Sequence, residues 1–185
     1  NKEILCLENI QLELGSSRIL NEINFILNER ESIGIIGESG SGKSSISKCI
    51  IGYYVDYIGL IKYKGLNIKS YGRKFLSKEI QLIFQDPYSS LDPKIKVVRH
   101  IQQILKFHFN HSNTESMTLA KDYLSMVKLD ENLFHKYPKQ LSGGERQRVV
   151  IAAAISLRPK ILICDECVSA LDNSTRFAIL ELLIE

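Results

Sequence analysis

The chain has 185 residues, 44% of them hydrophobic and 24% charged, and a net charge of +3. That is enough for one domain with a sizeable core and room for an inserted subdomain, with the composition of an ordinary soluble globular protein. The small charge, with Lys and Arg spread along the chain, gives no reason to expect nucleic acid. No apolar run reaches the length of a membrane span, and the N-terminal NKEILCLENI has acids and no signal-peptide core. The expectation is a cytosolic protein that reaches a membrane only through a partner.

The first elements read as strands. EILCLENI and QLEL are separated from INFIL by the turn-like GSSR. SIGIIG, residues 32–37, is a short apolar run ending in glycine, the pattern of a buried strand. It leads directly into GESGSGKS, which fits G-x-x-x-x-G-K-[ST] in full. The segment comprises Gly37, Glu38, Ser39, Gly40, Ser41, Gly42, Lys43 and Ser44, with Ser45 following. Its glycines let the backbone curl so that several N–H groups point at phosphate oxygens. The helix that follows adds its positive end. In this motif Lys43 reaches the β- and γ-phosphates and the Ser44 hydroxyl ligates Mg²⁺. A merely flexible Gly/Ser loop would not explain the lysine, the serine or the flanking elements. Ile46, Cys49 and Ile50 then fall at helical spacing, with Gly52 as the stop.

GLIKYKG and IQLIFQ (Ile80 to Gln85) are further strand candidates. Beyond Pro93 the pattern changes. Val98, Ile101, Ile104 and Leu105 predict one helix, and Met117, Ala120, Leu124 and Val127 predict the next, with polar NHSNTES between them. This reads as a helical insertion within an α/β domain. LSGGERQR, Leu141 to Arg148, contains the capping-box pattern Ser142-x-x-Glu145, a helix start. Two glycines in a first turn weaken a helix by about 1 kcal/mol each. They also leave bare N–H groups that a phosphate can approach, so this is a candidate second phosphate surface. The helical VVIAAAISL, the strand KILIC and a last helix from about Ser174, with Phe177, Leu180 and Ile184 on one side, complete the chain.

At the end of KILIC, Asp165 and Glu166 follow an apolar strand. The carboxyl end of a parallel strand opens into the ligand crevice. There Asp165 suits Mg²⁺ and Glu166 suits the attacking water. Two solvated acids at a strand end are common, and the pair gains meaning from the phosphate loop upstream. The same letters also spell C-x-x-C, Cys164 and Cys167. With Cys6 and Cys49 distant and no H-x(3–5)-H beside the pair, a metal site is disfavoured. The expectation is two packing residues, with Cys164 as the last buried residue of its strand.

Together the phosphate loop, LSGGERQR, ILICDE and SALD resemble an ATP-binding cassette (ABC) transporter ATPase over nearly the whole chain, in that family's order and spacing. IFQDPYSSLDP, Ile83 to Pro93, resembles the Q-loop segment in ATPases of peptide and nickel importers. The resemblance implies an α/β fold: a P-loop NTPase (RecA-like) core with an N-terminal antiparallel β-subdomain and an inserted α-helical subdomain. Residues 1–93 and 155–185 would form the β-subdomain and core, and residues 94–154 the helical subdomain. It further implies that Gln85 touches Mg²⁺ and the water, with Glu166 and Lys43 as its catalytic partners. Asp86 to Pro93 would lie near the groove for a membrane subunit. Ser142, Gly143 and Gly144 would contact the γ-phosphate held by an opposite subunit, and Asp172 would lie at the dimer interface. ATP and Mg²⁺ are the implied ligands. The implied partners are a second ATPase subunit, transmembrane permease subunits and, indirectly, an extracytoplasmic substrate-binding protein. The implied location is the cytoplasmic face of the membrane.

Three departures stand out. Near Glu13 and Leu14, where the family has an aromatic residue that stacks on adenine, there is none. Cys167 and Val168 replace the proline and threonine or serine that follow the family's catalytic glutamate. No histidine occupies the place of the family's switch histidine, so the expectation is a C-terminally truncated cassette that binds nucleotide better than it hydrolyses it. The alternatives are a soluble non-transport ABC ATPase and a cassette with little turnover.

Overall fold

The computed structural model describes residues 2–84, 86 and 90–184, with the side chain of residue 184 left aside. The chain divides into two compact units, Asn1–Ser77 and Lys78–Glu185.

The first unit is built on two long strands, β1 (Glu3–Leu14) and β2 (Ser17–Asn28), joined by a turn at Gly15 and Ser16. The turn is tighter than GSSR suggests, because Ser17 and Arg18 already belong to β2. With β3 (Ile58–Tyr63) and the two-residue β4 (Leu66–Asn67) they form an antiparallel sheet in the order β2-β1-β3-β4. Leu7 lies opposite Phe25 on one side and Ile61 on the other. Leu5, Leu7, Ile10, Leu12, Ile61 and Tyr63 are fully buried. Helix α1 (Lys43–Ile50) buries Ile46, Cys49 and Ile50, as their spacing predicts, and Gly52 follows it with φ +74.

The expected buried strand at 32–37 does not form. The segment makes no ladder among the described residues, and Ile33, Ile35 and Ile36 are exposed, Ile36 by 97%. The physical reason is that a strand is a pairing. β-branched residues favour the extended state, but only ladder bonds and a covering face fix it.

The second unit holds α2 (Arg73–Glu79) in its last residues, then β5 (Ile80–Ile83), α3 (Val97–Phe109), α4 (Asn113–Met126), α5 (Gly143–Ser156), β6 (Ile161–Cys164) and α6 (Asn173–Ile184). The helical reading of the middle of the chain holds. Ile101, Leu105, Ala120, Leu124, Val149 and Ile151 form one buried cluster. Helix α4 begins inside the polar stretch, because Ser112 and Glu115 form a capping box around its first turn. β5 and β6 pair in parallel, Ile80 opposite Ile161 and Ile83 opposite Cys164. Helix α6 turns Ile179 inward and leaves Phe177 and Leu180 exposed. No helix among the described residues is long and apolar enough to cross a membrane.

Candidate active site

In the first unit the segment from Gly37 to Gly42 curls into the start of α1. Gly42 is the residue before the helix, with φ +94, and a Cβ there would stand 2.9 Å from the Ile19 carbonyl and 2.8 Å from Leu20. Only glycine takes that backbone and fits against β2. Residues 37–41 are exposed, and the Ser41 N–H donates to the Glu38 carbonyl at 3.2 Å within the loop. The Lys43 ammonium folds back over the loop and donates to the carbonyls of Gly37 (2.7 Å) and Glu38 (2.6 Å). The loop thus holds its one cation against its own rim, beside a helix N-terminus, which is the electrostatics of an anion cradle. Ser44 and Ser45 follow in the first turn of α1.

In the second unit the two acids sit at the end of the parallel pair. The ladder continues one step past β6, with Asp165 N–H donating to the Ile83 carbonyl at 3.1 Å. Asp165 therefore stands at the carboxyl end of both strands. Glu166 has φ +53, the left-handed region that a side chain adopts at a cost of about 1–2 kcal/mol. It reverses the chain into a turn in which Ser169 N–H donates to the Glu166 carbonyl at 3.1 Å. Cys164, expected to be buried, is exposed, and Cys167 is the buried one of the pair. β6 has β5 as its only ladder neighbour among the described residues, so the last residue of the strand has an open side. The neighbouring Cys167 thiol, and then burial, push the pKa of Cys164 up, while the Cys164 thiol holds that of Cys167 down.

Helix α5 starts as the sequence implies. Glu145 N–H donates to Ser142 Oγ (3.3 Å), and Ser142 N–H donates to Glu145 Oε2 (2.7 Å). Its two glycines differ. A Cβ on Gly144 would come within 3.1 Å of the Ala170 carbonyl, whereas one on Gly143 would meet nothing within 4 Å. Gly144 lets the helix approach the loop after the acids, and Gly143 leaves the bare helix end open. Asp172 caps α6, accepting from Ser174 Oγ (2.7 Å) and Thr175 N–H (3.0 Å). These bonds, the serine's first, hold its carboxyl well below the usual carboxylate range.

The phosphate-loop residues thus lie in one unit, and Ser142, Gly143, Gly144, Asp165, Glu166 and Asp172 in the other. Gln85 lies outside the described residues. One residue escaped the sequence reading. Gln147, 1% exposed, donates from Nε2 to the Cys167 carbonyl at 2.7 Å, tying α5 to the loop after the acids. The signal was there: Gln147 precedes Val150 and Ile151 by three and four residues and so shares their inward face.

A glycine cradle closed by a lysine, two acids ending a parallel pair and a capped glycine-led helix define a P-loop nucleotide-binding cassette. Residues 20–169 match the family model described as ABC transporter, and the chain belongs to that family. It is 36% identical over 183 residues to the oligopeptide transport ATP-binding protein AppF of Bacillus subtilis (strain 168), covering 95% of this chain and 54% of that protein. Over 170 residues it is 37% identical to the oligopeptide transport ATP-binding protein OppF of Haemophilus influenzae, covering 90% of this chain and 51% of that protein. The chain therefore spans about half the length of the curated relatives it matches. Among solved structures, the ATP-binding cassette MJ0796, a dimer in a post-hydrolysis state bound to ADP and Pi, matches with a TM-score of 0.86. That match has 29% identity and covers 97% of this chain and 81% of that one.

Proposed function

We propose that the chain is the ATP-binding and ATP-hydrolysing subunit of an ABC importer, acting with membrane partner subunits in the uptake of peptides. One observation carries the proposal. The chain has two glycine-bearing helix N-termini suited to phosphate, α1 with its lysine and α5 without one. A surface that is open above Gly143 and has no lysine of its own suits a phosphate brought by a second subunit. Two copies, each bringing ATP on its phosphate loop and completing the other's site with Ser142, Gly143 and Gly144, then explain both surfaces. The peptide class is supported by the names of the relatives above, and the paired arrangement by the dimeric cassette. Nickel belongs to the same importer class and has no separate support.

In this reading the residues divide the work. The N–H groups of residues 37–42 and the Lys43 ammonium hold the phosphates and spread their charge. Glu166 orients and polarises the attacking water, and Gln85 senses the γ-phosphate and relays its state to the membrane subunit. Ser44, Asp165 and Gln85 would hold Mg²⁺, which when bound neutralises charge on the phosphate oxygens. The donors fit, since a hydroxyl and a carboxylate are hard oxygen ligands. No group of three or more His, Cys, Asp or Glu side chains able to hold a metal exists among the described residues. That suits an ion that takes most of its ligands from phosphate and water. Asp172 would lie near the partner copy. The subunit would work at the cytoplasmic face of the membrane, with residues 94–154 rotating as a helical subdomain against the remainder.

The test is ATP turnover and peptide uptake by the full-length protein with its permease subunits in liposomes, wild type against Glu166→Gln. The variant should keep ATP binding and lose hydrolysis and uptake. Hydrolysis at the wild-type rate would remove Glu166 from its role.

A further inference from the structure

The turn that carries Glu166 has an unfavourable backbone angle, φ +53, and such an angle lasts only where neighbouring bonds fix it. On the strand side those bonds are backbone ones. Asp165 N–H donates to the Ile83 carbonyl, and Ser169 N–H closes the turn on the Glu166 carbonyl, both at 3.1 Å. On the far side the bond comes from a side chain. Gln147 Nε2 donates to the Cys167 carbonyl at 2.7 Å, one residue past Glu166, and Gln147 and Cys167 are both buried. The same amide weakens the fold. Its nitrogen must face the Cys167 carbonyl, because a carbonyl only accepts. That leaves Gln147 Oε1 buried with no donor among the described residues. The position shares an inward helix face with the buried Val150 and Ile151. A leucine would fill such a place without an orphaned oxygen. A buried polar group that stays half-satisfied destabilises, and such exceptions gather at functional sites.

We propose that Gln147 is a positioning residue for ATP hydrolysis, its amide holding the turn so that Glu166 stays set for the attacking water. The proposal rests on the Glu166 role given above. Gln147 touches neither water nor nucleotide and acts through the backbone beyond Glu166. It therefore bears on the hydrolysis step and not on nucleotide affinity, which Lys43 and the other phosphate-loop residues of the first unit carry. Loss of the amide lowers kcat and leaves ATP binding as it was.

The experiment uses the full-length protein with its permease subunits in liposomes, and measures kcat beside titration with a fluorescent ATP analogue. Gln147→Met keeps the length of the side chain and removes the amide. Its kcat should fall about 10- to 100-fold, the effect of a misplaced reacting group. The analogue should bind with unchanged affinity and stoichiometry. A merely structural role would instead reduce the number of competent sites. Gln147→Glu supplies a second readout. Burial raises the pKa of a carboxyl group. Its ionised form sets a negative oxygen against the Cys167 carbonyl, whereas its protonated form donates an O–H to that carbonyl. Turnover relative to wild type should therefore climb as pH falls from about 8 to about 6, and Gln147→Met should show no such climb.

If Gln147→Met does not fold, the pH profile of Gln147→Glu still decides. A wild-type kcat in Gln147→Met, a loss of binding sites in proportion to the loss of turnover, or a flat relative profile in Gln147→Glu would overturn the proposal. The two readings fail separately. Hydrolysis at the wild-type rate in Glu166→Gln removes the role of Glu166. An inactive Glu166→Gln beside a fully active Gln147→Met removes only the role of Gln147.

Discussion

Gln147 Nε2 and the Cys167 carbonyl, 2.7 Å apart, join the helix that begins with the signature glycines to the loop that follows the two acids. Both groups are buried, so replacing the amide leaves a carbonyl without its donor. Gln147→Leu should cost about 1–3 kcal/mol, read as a lower urea midpoint with an unchanged m-value. In the assembled ATPase it should also slow turnover, because the loop holding Glu166 loses its anchor.

Lys43 gives the opposite profile. Its bonds go to two exposed loop carbonyls, so Lys43→Met should change stability by no more than about 0.5 kcal/mol. Nucleotide affinity should fall about 10- to 100-fold, the loss of charge-assisted bonds to phosphate. Titration with a fluorescent ATP analogue beside a urea melt checks both halves.

The two glycines of α5 should separate stability from association. Gly143→Ala meets open space and should raise stability by up to about 1 kcal/mol through helix propensity. The added methyl covers the bare helix end and should weaken ATP-dependent dimerisation of a Glu166→Gln background, measured by size exclusion. Gly144→Ala places its methyl 3.1 Å from the Ala170 carbonyl and should instead destabilise.

Burial pushes the Cys49 thiol up to about 11 from its ordinary 9.0, and the Tyr57 phenol beside it is raised as well. The folded thiol keeps its proton at a pH where the unfolded one has lost it. Between about pH 9 and 11 the native state therefore binds more protons, and stability falls as pH rises. The loss should reach about 2–3 kcal/mol at the top of that window. Denaturant melts across it should show the decline, with a shallower slope for Cys49→Ala.

What the sequence made legible was mostly local. The starts of α4 and α5 are written in Ser-x-x-Glu boxes, and both boxes form. The phosphate loop and the inward faces of α1, α3 and α4 follow from spacing alone. What escaped depends on distant partners. Residues 32–37 look like a strand, but no residue states what they would pair with. Cys164 looked buried because an apolar strand precedes it, and its exposure depends on which side of β6 is covered. Nothing in the sequence marks Glu166 for a left-handed backbone, since the neighbouring bonds hold it there. The short β4 and α2 are too brief to give a period.

The uncovered isoleucines at 33, 35 and 36 bear on the handling of this chain in the test tube. An exposed, β-branched segment outside any ladder accepts extended segments, including its own kind. Light scattering by the purified chain should climb with protein concentration, and a single charge at the most exposed position, Ile36→Lys, should flatten that climb without shifting the urea midpoint.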